Sequence, residues 1–404
     1  MKQKNIILVD GNNFFASCEQ MVNPALKNKP LCVLSNNDGC VIARSNEAKK
    51  LGVRMGMPYF MAKKEFPQVV YVSSDFSLYH DISQRMMQIL SKYSDLLDIY
   101  SIDEAFLDVT GTDKIFNMSY FDLIKEIKTD VEKKLGITVS IGLAPSVILA
   151  KTANHIAKKS SGLYEIKPDC IEKELINIPV EDLWSVGRNI ARKLRSKGIF
   201  FANQVLSKPD EFYRLLLGKK GLELKYELSG QSVIPITGIA QKPKSIQRTR
   251  AFPEFSSDKE YIKTELFMHL HNVCKKLREN SLSAGAISVM LRTKDFRVVY
   301  FGNSQISETN SELYLTSKVN ELFDEIYQKG IIYRSAGIWA YNLIDTEKVQ
   351  LSLFKDETNI KSEKISSILD KVEDKFGKGT IAVGKTGIKE IIKQHSREKR
   401  LKPF

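Results

Sequence analysis

The sequence predicts a multidomain fold built from α/β and α+β units, and three observations carry that reading. Strand-like and helix-like segments alternate through roughly the first 166 residues, the order of a mixed α/β domain. The next stretch, about 167–235, is mostly helical with short glycine breaks. Beyond it, one long amphipathic helix precedes three strand-like runs, the make-up of a small α+β domain. At 404 residues the chain exceeds what one core accommodates, and roughly two to four domains are expected.

The elements follow in order. NIILVD (5–10), PLCVLS (30–35) and GITVSIGLA (136–144) are apolar runs suited to buried strands. FDLIKEIKTDVEKKLG (121–136) has helical periodicity and ends at a glycine stop, and SVILAKTANHIAKK (146–159) repeats the period. GIAQKPKSIQR (238–248) combines Pro with Lys and reads as a tether. DKEYIKTELFMHLHNVCKKLREN (258–280) is the long helix, and AGAISVMLRT, FRVVYF and IIYRSAGIWAYNL are the strands that follow. Sequence past about 346 reads as loosely folded and ends in a basic tail, KQHSREKRLKPF.

Composition narrows the function classes. Sixty-one Lys and Arg oppose 48 Asp and Glu, a formal charge of +13. That excess favours a polyanionic partner, nucleic acid before an acidic membrane surface. Hydrophobic residues make up 43%, far from the profile of a disordered chain. The first apolar run is four residues long and ends in Asp10, too short for a signal peptide, and no later segment approaches a membrane span. Five cysteines form no CxxC and five histidines no HExxH, so reduced thiols in a cytoplasmic protein are expected rather than structural zinc.

Asp10 closes Ile6-Ile7-Leu8-Val9, a central-strand pattern in which an unpaired charge is costly to bury. SIDEAFLDV (101–109) places Asp103 and Glu104 after a second such run, with Asp108 further on. Neighbours on a regular strand point to opposite faces, so Asp103 and Glu104 serve one site only at a hairpin bend. Carboxylates converging from two strand ends repel, and hard divalent cations relieve that repulsion. Mg²⁺ takes oxygen ligands and leaves positions for water and phosphate oxygens. Two such ions stabilise both the attacking and the leaving oxygens of phosphoryl or nucleotidyl transfer. Taken alone, the acids also fit turn caps or partners of surface lysines.

The flanking segments go further when read together. DGNNFFASCE (10–19), NEAKKLGVRMGMP, SIDEAFLD and GLAPSVILAKTANHIAKKSSG occur in an order that resembles the Y-family, or translesion, DNA polymerases across essentially the first 240 residues. SNNDGCVIAR is most similar to the bacterial UmuC-like branch, beside DNA polymerase IV. The resemblance implies a right-hand polymerase: palm at 1–10 and 78–166, small fingers at 11–77, helix–hairpin–helix thumb at 167–235, linker at 236–244, little finger at 245–345 and tail at 346–404. It implies error-prone, template-directed synthesis past damaged bases in the SOS response, without proofreading, by a monomer acting on primer–template DNA and dNTPs. Asp10, Asp103 and Glu104 match the ligands of two catalytic Mg²⁺ ions, Gly11 the residue that lends a backbone carbonyl, and Asp108 takes a structural role.

The same resemblance implies nucleotide contacts. Phe14 and Phe15 stand at the expected nucleotide site; core packing accounts for at least one, and Phe15 matches the steric gate that fills the space of a ribose 2′-OH. Asn46 and Lys49 replace the usual Tyr and Arg on the triphosphate, with Arg44 nearby to compensate. Lysine keeps the charge but not the guanidinium fork. Lys151, His155 and Lys158 share a helical face, the first two read as solvated and Lys158 as the family lysine that reaches the triphosphate.

LWSVGRNIARKLRSKGI (183–199) has the form helix, glycine hairpin, helix, with Ile190, Ala191 and Leu194 as its apolar stripe. Gly187, Arg188 and Arg192 are expected at the DNA backbone, with Arg195 on the same face. Exposed amides at a helix N-terminus take phosphate and position DNA without reading it. Arg248, Arg250 and Arg292 are further phosphate candidates in the little finger. VQLSLFKD presents Gln350, Leu351, Leu353 and Phe354, a peptide similar to bacterial sliding-clamp-binding motifs, whose apolar side chains want a pocket. The UmuC-like resemblance also implies a UmuD-like accessory subunit. From other classes, a catalytically silent DNA- and clamp-binding accessory protein is expected to lose an essential acid, and this chain keeps all three. A nucleotidyl cyclase shares the paired carboxylates but lacks thumb-like hairpins and a clamp peptide.

Overall fold

The computed structural model describes residues 3–35, 38–239, 242–303, 306–348, 357–377 and 380. The chain divides into two compact units, the first running to residue 240 and the second beginning at 241. Among the described residues no helix is long and apolar enough to cross a membrane.

In the first unit, β1 (Ile6–Gly11), β2 (Leu31–Leu34), β3 (Val41–Arg44), β4 (Val70–Ser73), β5 (Leu97–Ile99), β6 (Glu104–Asp108), β7 (Val139–Ala144) and β8 (Leu163–Glu165) build two sheets. The larger has the order β5-β6-β1-β7-β8 and the smaller β3-β2-β4. Every residue of β1 and β7 is buried, as continuous apolar runs require of strands covered on both faces. On one face Ile7, Val9, Leu107 and Ile141 pack with α1 (Phe14–Val22), α2 (Phe76–Leu90) and α3 (Tyr120–Leu135). On the other, Ile6, Leu8 and Phe106 pack with α4 (Val147–Ala157) and the helical segment beyond it.

Two features set α4 hard against the sheet. A Cβ on Gly142 of β7 would lie 2.1 Å from the Asn154 backbone nitrogen, so only glycine allows the approach. Asn154 Nδ2 then donates to the Leu8 and Ser140 carbonyls at 3.2 and 2.7 Å, tying α4 to both central strands. The helix thereby hangs its outer residues over the ends of β1 and β6. Further on, α5 (Arg188–Arg195) begins at Gly187 with no side-chain cap, behind a hairpin in which Ser185 holds a left-handed φ of 72°.

The second unit is an antiparallel sheet of β9 (Ile246–Ser256), β10 (Leu282–Thr293), β11 (Val298–Asn303) and β12 (Tyr333–Asp345), ordered β11-β10-β12-β9. Ile287, Val289, Leu291 and Ile338 form one core with α6 (Lys259–Glu279) and α7 (Glu312–Ile326). The opposite face carries Gln247, Thr249, Met290, Arg292 and Trp339 around a groove of about 350 Å³.

Two expectations are corrected here. The stretch read as a tether is short: the Gly238 N–H donates to Asp98 Oδ1 at 2.9 Å, and β9 starts at Ile246. The chain past 346 is not loose throughout, because α8 (Glu357–Phe376) is a 20-residue helix ion-paired to the second unit. Arg278 Nη2 donates to Asp370 Oδ1 at 2.7 Å, and Lys275 reaches Glu373 and Asp374 at 3.3 and 2.8 Å. His271 stands between Glu312 and Glu373, at 2.9 and 3.2 Å. His271, Lys275 and Arg278 recur on one face of α6, so a polar helix that seems unsupported locally finds its charges met from afar. Gln350, Leu351, Leu353 and Phe354 lie outside the described residues.

Candidate active site

β1 and β6 run antiparallel with Asp10 directly opposite Glu104. Directly opposed residues project to the same face, so the pairing presses two carboxyl groups together. Asp10 is 3% exposed, walled in by the strands that carry it. Burial pushes its carboxyl up to about 7; the hydrogen bond with Glu104 adds to the rise, while Lys158 opposes it. Glu104 lies below its ordinary value: burial works against ionisation, but the hydrogen bond from Asp10 and the Lys151 ammonium outweigh it. The tendency to hold a proton therefore falls on Asp10 rather than on Glu104.

Asp103 occupies the bend one residue earlier. Its carbonyl accepts from the Gly11 N–H at 2.8 Å, and Ser101 Oγ donates to its carboxylate at 2.6 Å. A Cβ on Gly11 would be in ordinary contact with the Asp103 Cβ at 3.6 Å but would press on the Phe14 ring at 2.9 Å, so glycine here spares the packing of Phe14. Asp108 takes the structural place expected of it, accepting from Thr110 and pairing with Lys4 at 3.2 Å.

The lysines of α4 depart from expectation. Lys151 is not solvated: its Nζ donates to Glu104 Oε1 at 2.5 Å. Lys158 Nζ donates to Asp10 Oδ2 at 2.6 Å instead of standing free for a triphosphate. Buried carboxylates demand nearby positive charge, and α4 is close enough to deliver it. His155 is exposed. The donors suit a hard divalent cation in kind, all being oxygens, and a cation would take the lone pairs now shared with two ammonium groups. The expected convergence of three acids is only partly met. Among the described residues no three of His, Cys, Asp or Glu stand together closely enough to hold a metal, and the Asp103 carboxylate accepts from Ser101.

Around this pair lie the other predicted residues. Phe15 stacks on Tyr79 with centroids 4.4 Å apart and meets the Phe76 edge at 5.8 Å. Tyr79 is anchored by its hydroxyl, which donates to Glu19 at 2.7 Å. Phe14 is core. Asn13, at a left-handed φ of 50°, donates to Asn46 Oδ1 at 2.9 Å and accepts from Lys49, so both substitutes for the usual Tyr and Arg are tied to the end of β1. Burial, then the charges of Arg44 and Lys158, hold the Lys49 ammonium below its ordinary value. Arg44 is committed elsewhere, donating to the Val53 carbonyl at 2.6 Å.

In the helical segment Gly187 and Arg188 are exposed, Arg192 donates to Asn189 at 3.0 Å, and Arg195 is paired with Glu181. In the second unit, strand register sets Arg248 opposite Ile338 and Arg250 opposite Ala336 on the edge strand β9, where Arg248 is exposed and Arg250 also lines the groove. His269 is pushed down to about 3 by burial and by those two guanidinium charges. Arg292 lies on the open face with Trp339. Tyr100 and Trp184 are neighbours of the acids that motif reading passes over, and Lys151 is one it takes as solvated; the spacing from Lys151 to Lys158 is a signal for the lysine, and no local pattern marks the aromatics.

Residues 9–155 match the model of the impB/mucB/samB family, and 243–353 match that of its C-terminal domain. This chain belongs to that family. It is a Y-family, translesion-type DNA polymerase of the UmuC/DinB-like kind. It is 34% identical over 397 residues to Protein UmuC of Salmonella typhimurium, spanning 95% of this chain and 94% of that one. DNA polymerase IV 1 of Bacillus subtilis is 29% identical over 398 residues, covering 97% and 95%. Among solved structures, a Dbh-based Y-family polymerase chimera superposes with a TM-score of 0.70 at 29% identity, covering 84% of this chain and 99% of that one. An insertion ternary complex of Dbh DNA polymerase gives 0.57 at 28% identity over the same shares. The polymerase therefore has palm, fingers, thumb and little finger, the larger sheet of the first unit being the palm sheet and the second unit's sheet the little finger.

Proposed function

We propose that this polymerase extends primers past damaged template bases, in a DNA-damage (SOS) response, by two-metal nucleotidyl transfer. The palm comprises 1–10 and 78–166, the fingers 11–77, the thumb 167–235 and the little finger 245–345, with a linker at 236–244 and a tail from 346. One observation carries the chemistry: Asp10 and Glu104 are opposed at the ends of two buried strands, each held by a lysine. Asp10, Asp103, Glu104 and the Gly11 carbonyl would hold two Mg²⁺ ions. Bound there, the ions supply positive charge for the attacking primer oxygen and the departing pyrophosphate.

The chain's own residues do the rest. Cations on the acids would replace Lys158 as the partner of Asp10, and Lys158 would then be free to meet the triphosphate beside Asn46 and Lys49. Phe15, immobilised on Tyr79, closes the space of a 2′-OH. Gly187, Arg188 and Arg192 hold the duplex backbone, and Arg248, Arg250 and Arg292 add phosphate contacts from the little finger. The sliding clamp takes residues 350–354, and a UmuD-like subunit assists in the cytoplasm.

Primer extension with Mg²⁺ and dNTPs tests the core of this. Replacing Asp103 and Glu104 together by Ala is expected to lower extension by about a thousandfold or more while the helical circular dichroism persists. Undiminished extension would overturn the assignment. Loss of clamp pull-down on replacing Leu353 and Phe354 by Ala, with basal extension intact, tests the peptide.

A further inference from the structure

Contacts to which no motif assigns a role join the thumb hairpin to the catalytic acid. Trp184 stands three residues before Gly187, and its Nε1 donates to the Tyr100 hydroxyl at 3.0 Å. The two rings meet edge to face at 5.6 Å. Tyr100 belongs to the bend that carries the acids, and its N–H donates to the Glu104 carbonyl at 3.0 Å. Lys151 Nζ lies 5.4 Å from the Tyr100 ring centre and 2.5 Å from Glu104 Oε1. Phe106, two residues beyond Glu104 on β6, touches both rings at 5.9 Å. The contacts thus run unbroken from hairpin to carboxylate.

Core packing does not account for this arrangement. Tyr100 is 52% exposed, so its ring contributes little burial to the fold. Ser185, adjacent to Trp184, holds a left-handed φ of 72°, a backbone state that costs a non-glycine residue about 1 kcal/mol or more. A cavity of about 500 Å³ lies under the hairpin, lined by Trp184, Ser185, Val186, Ile190, Leu222 and Ile234. The hairpin has room to shift, and its indole is hydrogen-bonded to the acid-bearing bend.

We infer that Trp184, Tyr100 and Lys151 are positioning residues that couple seating of duplex DNA on the thumb hairpin to release of Glu104. Without DNA, Lys151 holds Glu104 and keeps the acid from a divalent cation. Phosphates bound at the Gly187 amides draw the hairpin and Trp184 with them, Tyr100 follows its hydrogen bond, and Lys151 withdraws toward the displaced ring. The inference rests on reading Glu104 as a metal ligand.

The chain has two tryptophans, Trp184 and Trp339, so a Trp339→Phe background leaves Trp184 as the sole emitter. In that background, Mg²⁺ added to the primer–template complex without dNTP is expected to change Trp184 emission. Tyr100→Phe keeps the ring but removes the hydroxyl, and is expected to abolish that response. It should also raise the Mg²⁺ half-saturation of primer extension about fivefold, the scale of one hydrogen bond, with KM for dNTP unchanged. Lys151→Met is expected to lower the half-saturation, and Lys151→Arg to restore it. If Tyr100→Phe responds to Mg²⁺ as the parent does, in emission and half-saturation alike, the coupling is overturned. Glu104→Gln separates the two layers: active Glu104→Gln sinks the metal-ligand reading itself, whereas inactive Glu104→Gln beside an unaltered Tyr100→Phe sinks the coupling alone.

Discussion

The palm sheet is covered on both faces and the little-finger sheet on one, and the two distribute chemistry accordingly. Every residue of β1 and β7 is buried, so polar groups survive only at strand ends, where Asp10 and Glu104 meet. Charge there is concentrated, desolvated and met by two lysines. In the little finger, burial along β9 is broken by exposed residues, and the open face carries Gln247, Thr249, Met290, Arg292 and Trp339. Contacts of that sort are individually weak and spread over a broad surface. A sheet with two covers builds a point of reaction; a sheet with one cover offers a surface on which a partner rests.

The sharpest way to break this comparison uses one glycine from each sheet. Gly142→Val would drive a side chain into the α4 backbone, and a loss of more than about 3 kcal/mol, read from denaturant unfolding, is expected. Gly337→Ala meets Thr249 on the open face, where an edge strand can yield, and about 1 kcal/mol is expected. Equal losses would remove the distinction. Next in size is the gate: Phe15→Ala should raise ribonucleotide incorporation about tenfold or more in single-nucleotide insertion assays, since only shape excludes the 2′-OH. Unchanged sugar selectivity would count against Phe15.

On the one-sided sheet, Arg292→Ala is expected to lower the salt-dependence slope of DNA binding by about 1 and to leave the melting temperature in place. The smallest effect concerns α8. The hydrogen bond of His271 with Glu312 of α7, aided by Glu373 of α8, raises the imidazole above its ordinary value of 6.5, although burial pulls the other way, and the Glu373 share is what ties it to α8. A raised histidine stabilises the docked helix fully below that ordinary value and loses the contribution as pH climbs through the raised one. Lys275, Arg278, Asp370 and Asp374 also face this seam, paired with one another or with Glu373. Amide-exchange protection of α8 should therefore fall as pH rises through the raised value, and His271→Gln should flatten the dependence. A wild-type profile in that variant would show the histidine to be a bystander.

Much of this was legible locally. The runs Ile6-Ile7-Leu8-Val9 and Val139-Ser140-Ile141-Gly142 read as buried strands, and they are β1 and β7. The helical stretch at 258–280 is α6 with a shift of one residue at each end. The strand-like runs after it form the little-finger sheet. Misread were α8, whose polar surface has no visible reason to fold until His271, Lys275 and Arg278 stand opposite, and Lys151, whose charge resembles any solvated lysine. Arg195 and Arg44 looked free for phosphate and are engaged by Glu181 and Val53.

By itself, then, the order of residues determined which segments become strands and helices, and that acids cap two apolar runs, because hydrophobic period and turn chemistry act within a dozen or so neighbours. Tertiary structure alone decided that Asp10 faces Glu104, that Lys158 crosses 148 positions to reach Asp10, and that Trp184 crosses 84 to reach Tyr100. Which charge meets which depends on how closely α4 and the thumb pack against the palm, and that distance is set by Gly142, Asn154 and the shared core.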